Sequence, residues 1–250
     1  MIIGNIESQL LKKSEEVGTV YTVLMDPDSH NLESFIRSGE MAAKNGADCF
    51  FVGGSFMGTP QWVAMVQSLK ALGLPIVLFP GGAGQVAPGA DAILFTTLVS
   101  GRNPNYLIDE QIRGAVMVKA LKMEAIPAAY ILIESGRTTA VEYISNTKPI
   151  PSDKPKITAV TALGAQYMGM RWAYLEAGSG AQNPVPVAHI QAVKATTDMS
   201  LIVGGGIVTP ELAGERARSG ASMIVTGNLW EKNKDEAFFK EFAQAIHWKK

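Results

Sequence analysis

Eight short, continuously apolar segments, mostly separated by segments of helical periodicity, predict an α/β fold for this 250-residue chain. Eight such units in this length match a closed (β/α)8 TIM barrel. Apolar runs without alternation belong to strands buried on both faces, as in parallel sheets. Glycines gather just after these runs, where a βα loop must turn. An open doubly wound sheet is the competing topology. No Ser/Pro tract or change of composition divides the chain, so residues 1–250 are read as one domain.

The elements follow in order. Ile3, Ile6, Leu10 and Leu11 share one helical face, which predicts an N-terminal amphipathic helix. Val20–Met25 is the first strand, ended by Asp26-Pro27-Asp28, and Ser34–Asn45 is a helix stopped by Gly46. Cys49–Val52 is the second strand and Trp62–Leu72 a helix closed by Gly73. The third and fourth strands are Ile76–Phe79 and Ala92–Thr96. Between them, Pro80–Asp91 is too rich in glycine and proline for a full third crossover helix. Ile108–Met123 is a long helix leading to the strand Ala128–Ile133. Ser135–Pro155 reads as a polar, proline-bearing loop and Thr158–Met170 as a helix. Three strands remain, Trp172–Leu175, Leu201–Val203 and Met223–Val225, with helices near Val187–Ala195, Pro210–Arg218 and Glu236–Trp248.

Composition excludes several classes. With 22 basic and 23 acidic residues the net charge is −1, without the basic surplus of a dedicated nucleic-acid binder. A single cysteine, Cys49, rules out an intrachain disulfide framework and fits a cytoplasmic location. Residues 1–18 carry too many charges for a signal peptide, and the longest apolar run, Ala125–Ile133, is about half a membrane span.

The 25 glycines, 10% of the chain, exceed the usual roughly 7%, and their placement is informative. Gly82-Ala83-Gly84-Gln85-Val86-Ala87 nominally satisfies the G-x-G-x-x-A dinucleotide fingerprint. Pro88-Gly89 break the helix that motif needs, and Arg102 and Asn103 stand where an acidic residue is required. The clusters after the last three strands fit better together: Gly178-Ser179-Gly180, Gly204-Gly205-Gly206 and Gly227-Asn228. Barrel loops after strands seven and eight commonly bind phosphate through backbone N–H groups. Ser179 and Asn228 add side-chain donors. Tight strand-to-helix turns would use the same glycines.

Glu176 lies within this region at a strand end, where a carboxylate repels an anion. It reads as a base or acceptor for a substrate hydroxyl, against the plainer role of a salt-bridged rim residue. Asp26, with a hydroxyl such as Ser55, can hold Mg2+, which takes few protein oxygens and relies on substrate phosphates for the rest. Asp28 or Ser29 is expected to cap the following helix. His30, His189 and His247 are scattered and suggest no transition-metal site.

These residues carry a specific likeness. LMDPD at 24–28, FVGGS at 51–55, FPG at 79–81 and SGRNPNYLI at 100–108 occur in order. YLEAGSGAQNPVP at 174–186, IVGGGI at 202–207 and IVTGN at 224–228 follow. Together they resemble the geranylgeranylglyceryl phosphate synthase family, including PcrB-like heptaprenylglyceryl phosphate synthases. The resemblance implies a TIM barrel and a Mg2+-dependent prenyltransferase. It would join C1 of a polyprenyl diphosphate, geranylgeranyl diphosphate foremost, to the 3-hydroxyl of sn-glycerol 1-phosphate, the first ether-bond step of archaeal-type lipids. By position, Asp26 and Ser55 match the family's metal residues. Tyr174, Leu175, Glu176, Ala177, Gly178, Ser179 and Gly180 match its glycerol-phosphate loops, with Gly204, Gly205, Gly227 and Asn228. Glu176 would accept or orient the attacking hydroxyl. Some members have a Lys two residues before the metal-binding Asp; Leu24 stands here, so that contact does not transfer. Phe56, Trp62, Phe79 and Tyr106 are possible walls of a prenyl groove, and exposed aromatics on barrel helices are expected to form a homo-oligomer interface. A phosphosugar isomerase would use the same phosphate loops, and a catalytically silent binding barrel is the third reading.

Overall fold

The computed structural model describes residues 3–227 and 235–249. Eight parallel strands close in sequence order: β1 (Val20–Met25), β2 (Cys49–Val52), β3 (Ile76–Leu78), β4 (Ala92–Leu98), β5 (Glu124–Leu132), β6 (Trp172–Glu176), β7 (Ser200–Gly204) and β8 (Met223–Thr226). Val20 pairs with Met223 and Thr22 with Val225, so β8 returns to β1 and the sheet is closed rather than open. Around it lie α1 (Asn5–Val17), α2 (Leu32–Lys44), α3 (Trp62–Ser68), α4 (Glu110–Ala120), α5 (Ala140–Ser145), α6 (Pro155–Tyr167), α7 (Val187–Thr196), α8 (Pro210–Arg218) and α9 (Glu236–Ile246). Among the described residues no helix is long and apolar enough to cross a membrane.

The two-residue period of a strand sorts side chains into two cores. On β6, Trp172 and Tyr174 join the barrel interior with Phe51, Leu94 and Tyr130. Ala173 and Leu175 join the layer between barrel and helices. The N-terminal mouth is closed by α1, whose Leu10 enters the interior with Ile6 and Leu11 packed beside it. Glu124, at the start of β5, accepts the N–H groups of Ile6 and Glu7 at 2.8 Å each, satisfying donors that the first turn of α1 leaves open. Glu7, 1% exposed, in turn binds Arg171 through both carboxylate oxygens and accepts from Trp172 Nε1 at 3.0 Å. The N-terminal end is thus plugged, which leaves the C-terminal end for a site.

Between β3 and β4 the chain makes one 3-10 turn, Ala83–Gln85, as its glycine and proline content predicts. Gln85 is buried there; Gly81 N–H donates to its Oε1 and its Nε2 donates to Gly54 O, both at 2.9 Å, fastening the β2 and β3 loops together. Helix and strand ends shift by a few residues elsewhere, and four segments differ in a way that has a physical reason. The Ser135–Pro155 loop contains α5, too short for its periodicity to register. The strand expected from Ala128 begins at Glu124 and runs through Pro127. Pro127 O accepts from Arg171 N–H just before β6 begins, so the missing proline N–H faces no ladder partner. The helix expected over Ile108–Met123 is entered through a π turn, Asn105–Asp109, and ends at Ala120 ahead of Lys122, whose φ is 52°. Trp62–Leu72 finishes as a 3-10 turn, Leu69–Leu72, closed by left-handed Gly73.

Candidate active site

A cleft of about 680 Å³ opens at the C-terminal end of the barrel. Two sectors of the barrel build unlike walls. Asp26 after β1, Ser55 after β2, Glu176 on β6, Ser179 and Gly180 beyond it, Gly205 after β7 and Gly227 after β8 supply the polar sector. Phe79 after β3, Phe95 and Leu98 on β4, Tyr106 in the π turn, and Val141 and Ile144 on α5 supply the apolar one. Of the groove candidates, Phe56, Phe79 and Tyr106 line the cleft, whereas Trp62 packs against the core outside the barrel.

Glu176 points inward from the last position of β6 and is 5% exposed. Its Oε1 accepts the Gly178 N–H at 2.7 Å. Burial pushes its carboxyl up to about 7, against the opposing pull of the Gly178 N–H and the nearby Tyr174 hydroxyl. That hydroxyl is buried close to the carboxylate without reaching hydrogen-bond geometry, so it is an orphan donor. A Cβ on Gly204 would come within 2.7 Å of both Glu176 Oε2 and the Tyr174 hydroxyl, and one on Gly205 would overlap Glu176 Oε1. Gly205 also has a φ of +81°. Gly204 and Gly205, at the end of β7, are therefore required first to seat the Glu176 carboxylate, a role their phosphate-loop pattern does not reveal.

Asp26 Oδ1 accepts the Asp28 N–H at 3.0 Å, opening the 3-10 turn Pro27–Ser29. That turn carries Asp28 toward the β2 loop, where its carboxylate accepts the N–H groups of Gly58 and Thr59 at 2.7 Å each. Contrary to the sequence expectation, neither Asp28 nor Ser29 caps α2. Asn31 does, accepting the Ser34 N–H at 2.8 Å, because the turn displaces the helix start by several residues. Gly54 leaves room over the carboxylate of Asp26, which a Cβ there would approach to 3.1 Å.

The remaining predicted residues divide by strand direction. Leu175 and Ala177 turn their side chains into the helix layer, so only their backbone is available to the cleft. The Gly178 N–H is committed to Glu176 and the Ala177 N–H to Gly204 O. Asn228 lies outside the described residues. The histidines lie apart from the cleft: His189 is buried between Thr158 Oγ1 and Ser152 O, His247 pairs with Asp48, and His30 packs edge-on to Phe35. Among the described residues no group of three or more His, Cys, Asp or Glu side chains is placed to hold a metal. Sequence reasoning missed Tyr130, whose ring lines the cleft from β5, and the apolar wall made by α5. The i, i+3 spacing of Val141 and Ile144 was the available signal for the latter.

The sequence pattern of the PcrB family matches residues 11–246. The chain belongs to the PcrB family. It is 40% identical over 238 residues to the geranylgeranylglyceryl phosphate synthase of Korarchaeum cryptofilum, covering 94% of this chain and 97% of that protein. Identity to the enzyme of the same name from Thermococcus gammatolerans is 43% over 232 residues, or 92% and 91% of the two chains. In three dimensions this PcrB-family chain superposes on (S)-3-O-geranylgeranylglyceryl phosphate synthase from Thermoplasma acidophilum, crystallised in complex with its substrate sn-glycerol-1-phosphate. The TM-score is 0.91 at 33% identity, over 99% of this chain and 100% of that one. A thiamine phosphate pyrophosphorylase from Pyrococcus furiosus, with a TM-score of 0.59 at 12% identity, shares the fold alone.

Proposed function

We propose that this PcrB-family protein is a prenyltransferase joining C1 of a polyprenyl diphosphate, geranylgeranyl diphosphate foremost, to the 3-hydroxyl of sn-glycerol 1-phosphate. Diphosphate leaves, and the ether product is the precursor of an archaeal-type lipid. One observation carries this reading: a single cleft sets a basic buried carboxylate between a wall of glycine loops and an apolar wall. An isomerase has no use for that apolar wall.

Glu176 accepts the proton of the 3-hydroxyl. At about 7, its carboxyl is partly ionised at neutral pH and more basic than an exposed glutamate. The orphan Tyr174 hydroxyl donates to a glycerol oxygen, which orients the nucleophile and satisfies the phenol. The phosphate rests on the loop tips at Gly180, Gly205 and Gly227, through backbone N–H groups rather than a basic patch. The apolar sector takes the prenyl chain and keeps water from the reacting carbon.

The residues present fit Mg2+. Asp26 and the Ser55 hydroxyl are hard oxygen donors lining the cleft, Gly54 leaves the carboxylate accessible, and substrate phosphates complete such a site. When bound there, the ion would neutralise charge on the departing diphosphate. We place the reaction in the cytoplasm, on the strength of the chain's single, buried cysteine.

The test incubates purified protein with labelled sn-glycerol 1-phosphate, Mg2+ and prenyl diphosphates of graded length, and follows label into the organic phase. Transfer that depends on Mg2+ is expected. Folded protein giving no transfer at any chain length overturns the assignment.

A further inference from the structure

Tyr130 carries no sequence signal of function, yet it stands where the two walls of the cleft meet. Its Cα pairs with Leu98 of β4, part of the apolar wall, and with Tyr174 of β6, beside Glu176. Its ring is 8% exposed and lines the cleft. The ring centroid lies 5.3 Å from that of Tyr174, nearly perpendicular at 80°, and 5.7 Å from that of Phe79. Phe79 and Tyr174 stack at 5.0 Å, so three aromatic rings meet at the boundary.

A prenyl diphosphate is itself divided at one bond. If its head lies toward Asp26 and its chain along the apolar wall, as in the function proposed above, the C1–O bond falls between the walls. That bond breaks with its electron pair leaving on the diphosphate oxygen, and C1 develops allylic cation character. The new ether bond forms from a lone pair of the glycerol 3-oxygen, whose proton passes to Glu176. A developing cation in a site with little water is stabilised by the negative face of an aromatic ring. We propose that Tyr130 is a catalytic residue of this reaction: with Phe79 and Tyr174 it forms an aromatic wall against which C1 ionises. The Tyr130 phenol is itself protected from alkylation. Burial, reinforced by the charge of Glu176, pushes it well above its ordinary range, so it stays a neutral and poor nucleophile.

The experiment varies the charge distribution of the ring while nearly preserving its shape. Phenylalanine, then phenylalanines bearing one, two and three fluorines, are placed at position 130, and single-turnover prenyl transfer is measured beside glycerol-phosphate affinity by calorimetry. Thermal unfolding confirms that each variant is folded. The rate is expected to fall stepwise by about tenfold or more from Tyr130→Phe to the trifluorinated ring. Glycerol-phosphate affinity should stay constant throughout. A flat rate across the series, or a loss of glycerol-phosphate affinity in step with it, overturns the role of Tyr130 in favour of packing. Those outcomes leave the prenyltransferase reading standing provided that wild type transfers label. An inactive wild type removes the prenyltransferase reading itself.

Discussion

Glu176→Gln is expected to stabilise the protein while removing its turnover. The wild-type carboxyl is 5% exposed and its pKa rises from 4.5 to about 7, chiefly through burial. The folded state therefore holds this proton more tightly than the unfolded chain does. The stability so contributed is complete below about pH 4.5 and is lost as pH rises through about 7. At about 1.4 kcal/mol per tenfold, the separation of the two values amounts to about 3 kcal/mol. Glutamine keeps an oxygen for the Gly178 N–H and carries no charge, so the variant lacks this loss. Relative to wild type, its stability should grow by about 3 kcal/mol from acid to mildly alkaline pH, or roughly 6–12 °C in Tm for a chain of this size. Paired thermal and urea unfolding at stepped pH reads the difference. Single-turnover transfer by wild type should rise with pH through about 7, and the variant should be about 10²–10⁴ times slower. A stability difference that is flat across pH, or that grows toward acid, would refute the buried-carboxylate argument. A variant with the wild-type rate would remove Glu176 from the chemistry.

Three further outcomes follow from the same geometry. Asp26→Asn should slow transfer by about a hundredfold or more while leaving glycerol-phosphate affinity nearly intact; lost glycerol-phosphate binding with a normal Mg2+ response, by calorimetry and metal titration, would show the two roles exchanged. Gly205→Ala places a Cβ over Glu176 Oε1 at a φ of +81°, so it should cost about 1–3 kcal/mol in urea unfolding and displace the carboxylate enough to weaken glycerol-phosphate binding. Arg171→Met strips the buried Glu7 of its guanidinium at the plugged end, with an expected cost of about 3–5 kcal/mol, and adding Glu7→Gln should restore part of it; no recovery in the double variant would mean that the pair stabilises by packing rather than charge.

The sequence alone determined the order of strands and helices, because these are specified by local periodicity, while closure of β8 onto β1 was decided by the tertiary structure. Continuous apolar runs such as Phe50-Phe51-Val52 and Ile202-Val203 report burial on both faces, and no distant residue is needed to read them. The position of several polar residues at the cleft was legible too. Asp26, Ser55, Glu176 and the glycine loops sit at strand ends, which a barrel brings to one face wherever they occur in the chain.

Tertiary structure decided what depends on neighbours remote in sequence. Burial in the closed barrel raises the Glu176 carboxyl to about 7, and no motif encodes burial. The residues at the end of β7 look like an anion cradle in sequence, but packing makes Gly204 and Gly205 first the room for that carboxylate. Tyr130 stands at the boundary of the cleft through strand register, which pairs it at once with Leu98, 32 residues earlier, and Tyr174, 44 residues later. The apolar wall rests on a six-residue helix, too short to form from its own propensity and tied by Asn103 Nδ2 donating to Ser145 O at 2.7 Å. It rests also on a π turn that lies against β4 and runs into α4. Sequence periodicity reports a segment's own shape; which surfaces face each other across a cavity is set by closure of the sheet.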